Sequence, residues 1–278
     1  MKTVLAAFTN LDRIEEITTT ARDIAAMFDG HVIGYYPIPA AFILTISDPA
    51  GTIPFDDKLQ RQFQRQLPAA KKAFEDIMGR SGISFEWRDE QRIETNLTRA
   101  VLHHGRQCDL IIMGQETQGS KAAAANVPKM ADVIMGAGRP VLVIPPGVKN
   151  RRHFSKVAIG WNASKEASRA VFDSMSILQK ADEVYLLWAN PDKKPNKSGM
   201  LPGSELAAAL ARHDVKATAT GTNQRLSNHK IIQNFVNEKG IDLLVLGAYG
   251  HMRLREQILG GVTEHSLQNL NCPTLFSR

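Results

Sequence analysis

An internal repeat constrains this chain of 278 residues more than any other feature of its sequence. The segment Cys108–Gly114 reads CDLIIMG, and the segment Ile241–Gly247 reads IDLLVLG, 133 positions later. At the same offset, RPVLV at residues 139–143 is matched by CPTLF at residues 272–276. Two similarities at one offset indicate a duplicated unit, so each half is expected to form a domain of ordinary size.

The start of the chain extends the repeat and helps to locate the domain boundary. Lys2–Phe8 resembles Lys156–Trp161, at a slightly larger offset. Between the halves lies PPGVKNRRH, residues 145–153, in which tandem prolines and a glycine interrupt any strand and the charges favour solvent. The sequence therefore predicts a first domain over residues 1–148 and a second domain over residues 154–278.

Short aliphatic runs alternate with amphipathic stretches in both halves. Continuous runs such as Leu243–Leu246 are typical of parallel strands that are covered on both faces. The alternation predicts α/β architecture: two tandem doubly wound domains, each with a five-stranded, mainly parallel sheet. The first half adds a long loop, residues 37–55, and a long polar helix from about residue 56 to residue 78. In the second half we predict strands at 155–161, 182–189, 214–219, 242–246 and 273–276, and helices at 164–179, 202–212, 226–239 and 262–270.

Charge and cysteine content exclude some classes of protein. The net charge is +6, but basic residues are mixed with acidic ones and the one tight cluster, residues 149–153, lies in the predicted linker, so nucleic-acid binding is not expected. Cys108 and Cys272 lack the spacing of a zinc site or a disulfide scaffold, which favours buried structural residues. The N-terminal apolar run of five residues is too short for a signal peptide, and no run is long enough to cross a membrane. We expect a cytoplasmic protein without membrane contact.

The segment GAYGHMRLREQILGGVT, residues 247–263, contains the main candidate for a ligand site. Gly247 ends a predicted strand, and ligands of open α/β sheets bind beyond the carboxyl ends of strands. Glycine there permits a sharp turn and close approach of a ligand, and Gly250 would close the turn. Gly260 and Gly261 precede a predicted helix, whose N-terminal N–H groups attract anions. The segment therefore predicts a phosphate-binding loop, although turn formation alone would also use these glycines. It matches neither the P-loop nor the dinucleotide fingerprint.

This spacing, GxxG, nine residues, then glycine with a small residue, and CP before the last strand, resembles the universal stress protein family. The resemblance covers both halves and implies a tandem two-domain member. It implies a stress-response protein that binds ATP or a related adenine nucleotide, with Mg²⁺ carried by the nucleotide. It also implies that the two halves pair as single-domain members do in dimers, with a homodimer of whole chains as a further option. The site residues implied are Asn162, Ala163, Ser164, Gly247, Ala248, Gly250, His251, Gly260, Gly261, Val262 and Thr263.

Two positions depart from the family pattern. Gly261 stands where members usually have serine or threonine, and Thr263 is the nearest residue that could supply the missing hydroxyl. The first loop of the family usually reads VDGS, whereas this chain has WNAS, so Asn162 replaces an aspartate that contacts adenine. Asparagine can still donate and accept hydrogen bonds.

The first half keeps only the first glycine of the loop, Gly114. At the offset of 133, Val127 stands opposite Gly260 and Pro128 stands opposite Gly261. Valine places a side chain where a ligand would touch the backbone, and proline has no N–H to donate. The sequence predicts one nucleotide site per chain, in the second half, beside a degenerate first half.

Several interpretations stay open at this stage. Ser164 is also a good helix N-cap, and Trp161 could be a core residue or a wall of an adenine pocket. His251, Arg253 and Arg255 could pair with phosphates or face solvent. No catalytic motif and no metal-ligand spacing is present. A regulatory nucleotide-binding protein is therefore expected, with a slow Mg²⁺-dependent ATPase or a protein-interaction scaffold without nucleotide as alternatives.

Overall fold

The computed structural model describes residues 1–9, 11–38, 58–89, 96–115, 129–148, 153–190, 203–222, 224–248 and 270–278. Within these ranges the strands are β1 (Thr3–Ala7), β2 (His31–Tyr36), β3 (Ser84–Asp89), β4 (Leu110–Gly114), β5 (Val141–Ile144), β6 (Lys156–Gly160), β7 (Glu183–Ala189), β8 (Ala217–Thr222), β9 (Leu243–Gly247) and β10 (Thr274–Ser277). The helices are α1 (Ile14–Phe28, after a 3-10 turn at Leu11–Arg13), α2 (Lys58–Met78), α3 (Leu97–Gly105), α4 (Met130–Gly136), α5 (Lys165–Asp173), α6 (Met175–Leu178), α7 (Ser204–Ala211) and α8 (Asn228–Lys239).

All of these strands join in a single sheet, in the order β3-β2-β1-β4-β5-β10-β9-β6-β7-β8. Neighbouring strands within each half are parallel, and the two halves meet where β5 and β10 pair antiparallel, with Leu142 opposite Leu275. Each half contributes five strands in the same relative order, so the second half mirrors the first across this seam. The predicted α/β class and mainly parallel pairing are confirmed, and the two five-stranded sheets are joined edge to edge.

Helices cover both faces of the sheet. One face packs against α1, α2, α5 and α7, and the opposite face packs against α3, α4 and α8. Alternate residues of β9 serve the two cores: Leu243 and Val245 belong to the first, and Leu244 and Leu246 to the second. Burial on both faces is the reason for the continuous aliphatic runs, because each buried side chain of this size stabilises the fold by about 1.5–3 kcal/mol. None of the described helices is long and apolar enough to cross a membrane.

The repeated acidic residue before β4 and β9 has a structural role. Asp109 Oδ2 accepts hydrogen bonds from the backbone N–H groups of Lys2 and Thr3, and Asp242 Oδ2 accepts one from Lys156 N at 3.0 Å. Burial alone would raise the pKa of Asp109, but these N–H donors hold it below its usual value. Each acid therefore accepts hydrogen bonds from the backbone N–H groups at the start of the neighbouring strand, which explains the x-Asp-Leu pattern.

The predicted helix over residues 164–179 is broken into α5 and α6. The break falls at Ser174, whose hydroxyl donates to the carbonyls of Ala170 at 2.8 Å and Val171 at 3.0 Å. A serine that bonds back to the preceding turn competes with regular helical hydrogen bonding. The prediction of one continuous helix was wrong for this local reason.

The strand predicted at 214–219 begins three residues later, at Ala217. Asp214 has a left-handed conformation, with φ of 60°, and the N–H of Val215 donates back to the carbonyl of Leu210 at 3.1 Å. These residues close α7 and start the strand only afterwards. The other second-half strands match the predictions to within one residue at each end. The predicted helix 262–270 and loop 37–55 lie almost wholly outside the described residues.

Both cysteines are free and buried, as the sequence predicts. Burial raises the pKa of Cys108 to about 11 and the pKa of Cys272 to about 12. Since only the thiolate reacts, we expect alkylation at pH 8 to be at least about a hundredfold slower in the native protein than in urea. Iodoacetamide labelling followed by mass spectrometry measures both rates. A native rate within tenfold of the rate in urea would contradict the burial of these thiols.

Candidate functional site

The strand order of the second half reverses between β6 and β9. These strands are parallel neighbours, with Gly160 opposite Leu246, so their carboxyl ends lie side by side at one edge of the sheet. The chain leaves β6 through residues 161–164 and leaves β9 through Gly247 and Ala248. The structure therefore brings two of the predicted site segments together at the position where ligands bind in folds of this kind. The remaining predicted site residues, Gly250, His251, Gly260, Gly261, Val262 and Thr263, lie outside the described residues.

The loop after β6 is a tight and strained turn. Asn162 Oδ1 accepts a hydrogen bond from Ser164 N at 3.0 Å, and Ser164 Oγ accepts one from Ala167 N at 3.2 Å. Ser164 is therefore the N-cap of α5. Ala163, between them, has φ of 56°, in the left-handed region that favours glycine. Such strain costs about 1–3 kcal/mol and clusters at functional sites.

Gly247 allows α5 to contact the sheet directly. A Cβ atom at this position would lie 2.4 Å from the backbone nitrogen of Ala167 and 2.4 Å from the carbonyl carbon of Glu166. The next residue, Ala248, is buried, and its N–H donates to Ser277 O at 2.8 Å. The sequence predicted that Gly247 serves a turn and a ligand. The structure adds a packing role that sequence analysis missed, because the contact joins residues about 80 positions apart.

Glu166 is a buried acid at the same place, and sequence analysis missed it. Its side chain is 6% exposed, whereas its neighbour and ion-pair partner Lys165 is 85% exposed, with 3.6 Å between Lys165 Nζ and Glu166 Oε1. Glu166 Oε2 is buried and has no hydrogen-bond partner among the residues that the structure describes. The buried face of α5 consists of Glu166, Ala167, Ala170 and Val171. The spacing of the apolar residues was the available signal, since Glu166 lies one turn before Ala170.

The start of α7 forms a second wall near β6. Gly203 has φ of 89°, and a Cβ atom there would lie 3.6 Å from Trp161 Cδ1. Trp161 is partly buried against the core on this face. The hydroxyl of Ser204 is buried and lacks a hydrogen-bond partner within the described parts of the chain. Sequence analysis did not single out Gly203 or Ser204.

The corresponding place in the first half is filled by an arginine. Val4 pairs with Leu110 as Val157 pairs with Leu243, and this correspondence puts Arg13 at the position of Glu166. Arg13 is 7% exposed. Its guanidinium donates to the carbonyls of Gln115 at 3.4 Å, Ile144 at 2.8 Å and Pro145 at 2.9 Å, and to the carboxylate of Glu16 at 2.7 Å.

Aromatic side chains fill the neighbouring space. Phe8, at the position of Trp161, is fully buried and stacks on Trp87 with 5.6 Å between ring centroids. Phe74 meets Phe8 edge to face at 5.9 Å, and Tyr36 stacks on Trp87 at 5.9 Å. The carboxyl ends of β1 and β4 are thus covered by the side chains of the first half itself. The described residues contain no group of three or more His, Cys, Asp or Glu side chains that could hold a metal ion.

Comparison with known proteins identifies a family for the second half of the chain. Residues 154–278 match the family model described as the universal stress protein family. The second half of the chain, residues 154–278, is therefore a universal stress protein domain. The resemblance seen in the glycine spacing is thereby confirmed.

The relatives of this chain are distant in sequence and similar in fold. A universal stress protein of Synechocystis sp. is 23% identical over 175 residues, which span 61% of this chain and 58% of that protein, less than two thirds of its length. The crystal structure of a universal stress protein from Archaeoglobus fulgidus is similar over 99% of this chain and 96% of that one, with 15% identity and a TM-score of 0.66. A putative universal stress protein from Pseudomonas aeruginosa covers 100% of this chain and 93% of its own, with 14% identity and a TM-score of 0.59. These similarities extend the fold over both halves.

Proposed function

We propose that this chain binds one adenine nucleotide, ATP or a close relative, in its second half, and that it is a regulatory protein of the cytoplasmic stress response. The observation that carries the proposal is the meeting of the strained turn Asn162–Ser164 with the end of β9 at the strand-order reversal. The glycine segment 247–263 starts from that point.

The chemistry of the glycine segment supports phosphate binding. Gly260 and Gly261 would expose backbone N–H groups to the phosphates, and Thr263 would add a hydroxyl. His251 and the nearby arginines would add positive charge. Asn162 and Ala163 would border the base. Mg²⁺ would reach the site with the phosphates rather than on ligands of its own.

The contents of the first half support a single site per chain. Arg13 and Phe8 occupy the positions that correspond to Glu166 and Trp161. Arg13 is buried and donates to backbone carbonyls, and Phe8 is buried and stacks on Trp87. A first domain over residues 1–148 would then act as a degenerate partner of a second domain over residues 154–278. The antiparallel pairing of β5 with β10 supports this pairing of the halves within one chain.

Replacement of Gly260 by valine tests the site. We expect ATP to bind the unmodified protein with one nucleotide per chain, and we expect Gly260→Val to reduce binding below detection at about 1 mM ATP, because the new side chain blocks approach to the backbone. Isothermal titration calorimetry measures affinity and stoichiometry. Far-ultraviolet circular dichroism checks that the variant is folded.

The matched control is Val127→Gly, the reverse change at the corresponding position of the first half. It should leave one nucleotide per chain, because Arg13 and Phe8 still fill the first-half crevice. Unchanged affinity in Gly260→Val, or two nucleotides per unmodified chain, would contradict the proposed site.

A scaffold without nucleotide is the second candidate, favoured by the hydrogen bond that Asn162 Oδ1 already accepts within its own turn. Millimolar ATP with Mg²⁺ distinguishes the two functions. A rise in melting temperature supports nucleotide binding, whereas a folded protein with no rise and no calorimetric signal supports the scaffold.

A further inference from the structure

The Glu166 carboxylate is a polar group that the fold leaves incomplete. Its side chain is 6% exposed, and its only ion-pair contact in the described structure is with Lys165, which is itself exposed. Oε2 is buried and receives no hydrogen bond from the described residues. Burial of a charged group costs free energy unless the group is paired and hydrogen-bonded, and unsatisfied buried groups call for an explanation. An apolar residue would have continued the buried face of α5 without this cost.

The position of Glu166 puts it beside the proposed site. Its carbonyl carbon and oxygen would lie 2.4 Å and 2.7 Å from a Cβ atom on Gly247, the residue from which the glycine segment leaves the sheet. It also follows the N-cap Ser164 by two residues, in the first turn of α5. Glu166 is therefore adjacent in the backbone to both loops that border the crevice.

The charge of Glu166 limits which part of a nucleotide it can contact. A carboxylate in the first turn of a helix interacts favourably with the helix dipole, so the N-terminus of α5 already holds an anion. A second anion there would be repelled, and phosphates are accordingly excluded from contact with Oε2. A metal ion would need further ligands, and no group of three candidate side chains occurs in the described part of the chain. Of the groups that a nucleotide carries, the partner that remains for Glu166 Oε2 is a neutral hydrogen-bond donor.

We propose that Glu166 accepts hydrogen bonds from the 2′- and 3′-hydroxyls of the bound ribose, and that it thereby selects ribonucleotides over deoxyribonucleotides. This inference rests on the proposed function. A carboxylate offers two acceptor oxygens, which suit two neighbouring hydroxyl donors, and hydrogen bonds to a charged acceptor are among the stronger ones. Dinucleotide-binding α/β folds recognise ribose by the same chemistry, with an acidic side chain near the carboxyl ends of the strands.

The test compares the affinities of ATP, 2′-deoxy-ATP and 3′-deoxy-ATP by calorimetry. We expect the unmodified protein to bind ATP about tenfold or more tightly than either deoxy analogue. In Glu166→Ala the three affinities should agree to within about twofold, because no acceptor remains. Glu166→Gln keeps the size of the side chain and removes the charge, so it should show intermediate selectivity. It replaces the alanine variant in the test if that variant is poorly folded.

Lys165→Ala is the matched control. It removes the exposed ion-pair partner and keeps the carboxylate, so the ratio of ATP to deoxy-ATP affinity should match that of the unmodified protein. A purely structural role for Glu166 would change the melting temperature and leave this ratio unchanged in both Glu166 variants, which would overturn the inference. Equal binding of ATP and the deoxy analogues by the unmodified protein would also overturn it while leaving the proposed function intact. Absence of binding by all three nucleotides would instead reject the proposed function, and this inference with it.

Discussion

Replacement of Arg13 by alanine should lower the free energy of unfolding by about 3 kcal/mol. The guanidinium is 7% exposed and donates to three backbone carbonyls and to Glu16. Its removal takes away the hydrogen bonds that Arg13 donates to these buried carbonyls, and it breaks the ion pair between Arg13 and Glu16. Urea denaturation followed by circular dichroism measures the loss.

Two variants give this prediction its controls. Arg22→Ala removes a guanidinium on α1, the helix that follows Arg13. This guanidinium pairs with Asp23 at 2.7 Å but is 32% exposed, so its removal should cost less than about 1 kcal/mol. Arg13→Lys should fail to restore stability, because an ammonium group cannot reproduce the planar fork that reaches the carbonyls at the ends of β4 and β5. Equal losses for Arg13→Ala and Arg22→Ala would show that the buried network contributes nothing beyond a surface ion pair.

Replacement of Gly247 by alanine should cost about 3 kcal/mol and weaken nucleotide binding. The added Cβ atom would lie 2.4 Å from backbone atoms of Glu166 and Ala167, and a backbone cannot yield as the end of a side chain can. Relief of the contact requires α5 to move away from β9, which also displaces the turn at Asn162–Ser164. The measurements are the free energy of unfolding in urea and the ATP affinity by calorimetry.

Two other glycines, one of them the counterpart of Gly247 in the repeat, provide comparisons for this change. At Gly114 the added Cβ atom would lie 2.9 Å from Arg13 Nη1, a less severe approach than the 2.4 Å at Gly247, so Gly114→Ala should cost less than Gly247→Ala even though it disturbs the Arg13 hydrogen bonds. At Gly240 an added Cβ atom would meet no atom of the described residues within 4 Å, its chain neighbours aside, but φ is +62°, so Gly240→Ala should cost about 1 kcal/mol through backbone strain alone. If Gly247→Ala were no more costly than Gly240→Ala, close packing of α5 on β9 would be refuted.

The sequence predicted most of the fold because the signals for it are local. Aliphatic runs such as Leu243–Leu246 and the repeat at an offset of 133 are visible within a few residues of chain, and four second-half strands were located to within one residue at each end. The errors arose from local hydrogen bonds and backbone conformations that the pattern of apolar residues does not reveal. Ser174 bonds back to the preceding turn, and Asp214 adopts a left-handed conformation that delays β8.

The site was predicted only in part, because its remaining features depend on distant contacts. Gly247 was singled out from the glycine spacing and Asn162–Ser164 from the family resemblance, and the sheet brings the two loops together. Sequence analysis did not single out Arg13, because its partners Ile144 and Pro145 are 131 and 132 positions away. Glu166 was overlooked although its position one turn before Ala170 places it on the buried face of α5, because a charged residue is seldom buried.

The antiparallel contact between β5 and β10 has a consequence for how such a protein can diverge. When two separate subunits pair along an edge strand, dilution can part them, and a mutation that weakens the contact lowers the concentration of the working pair. Here the two halves are tethered in one chain, so the effective concentration of each for the other is set by the connection and does not fall on dilution. One half can then lose its own ligand chemistry and still be held in place. Such a half would stay a permanent partner, and only the other half would need to retain a crevice for a ligand.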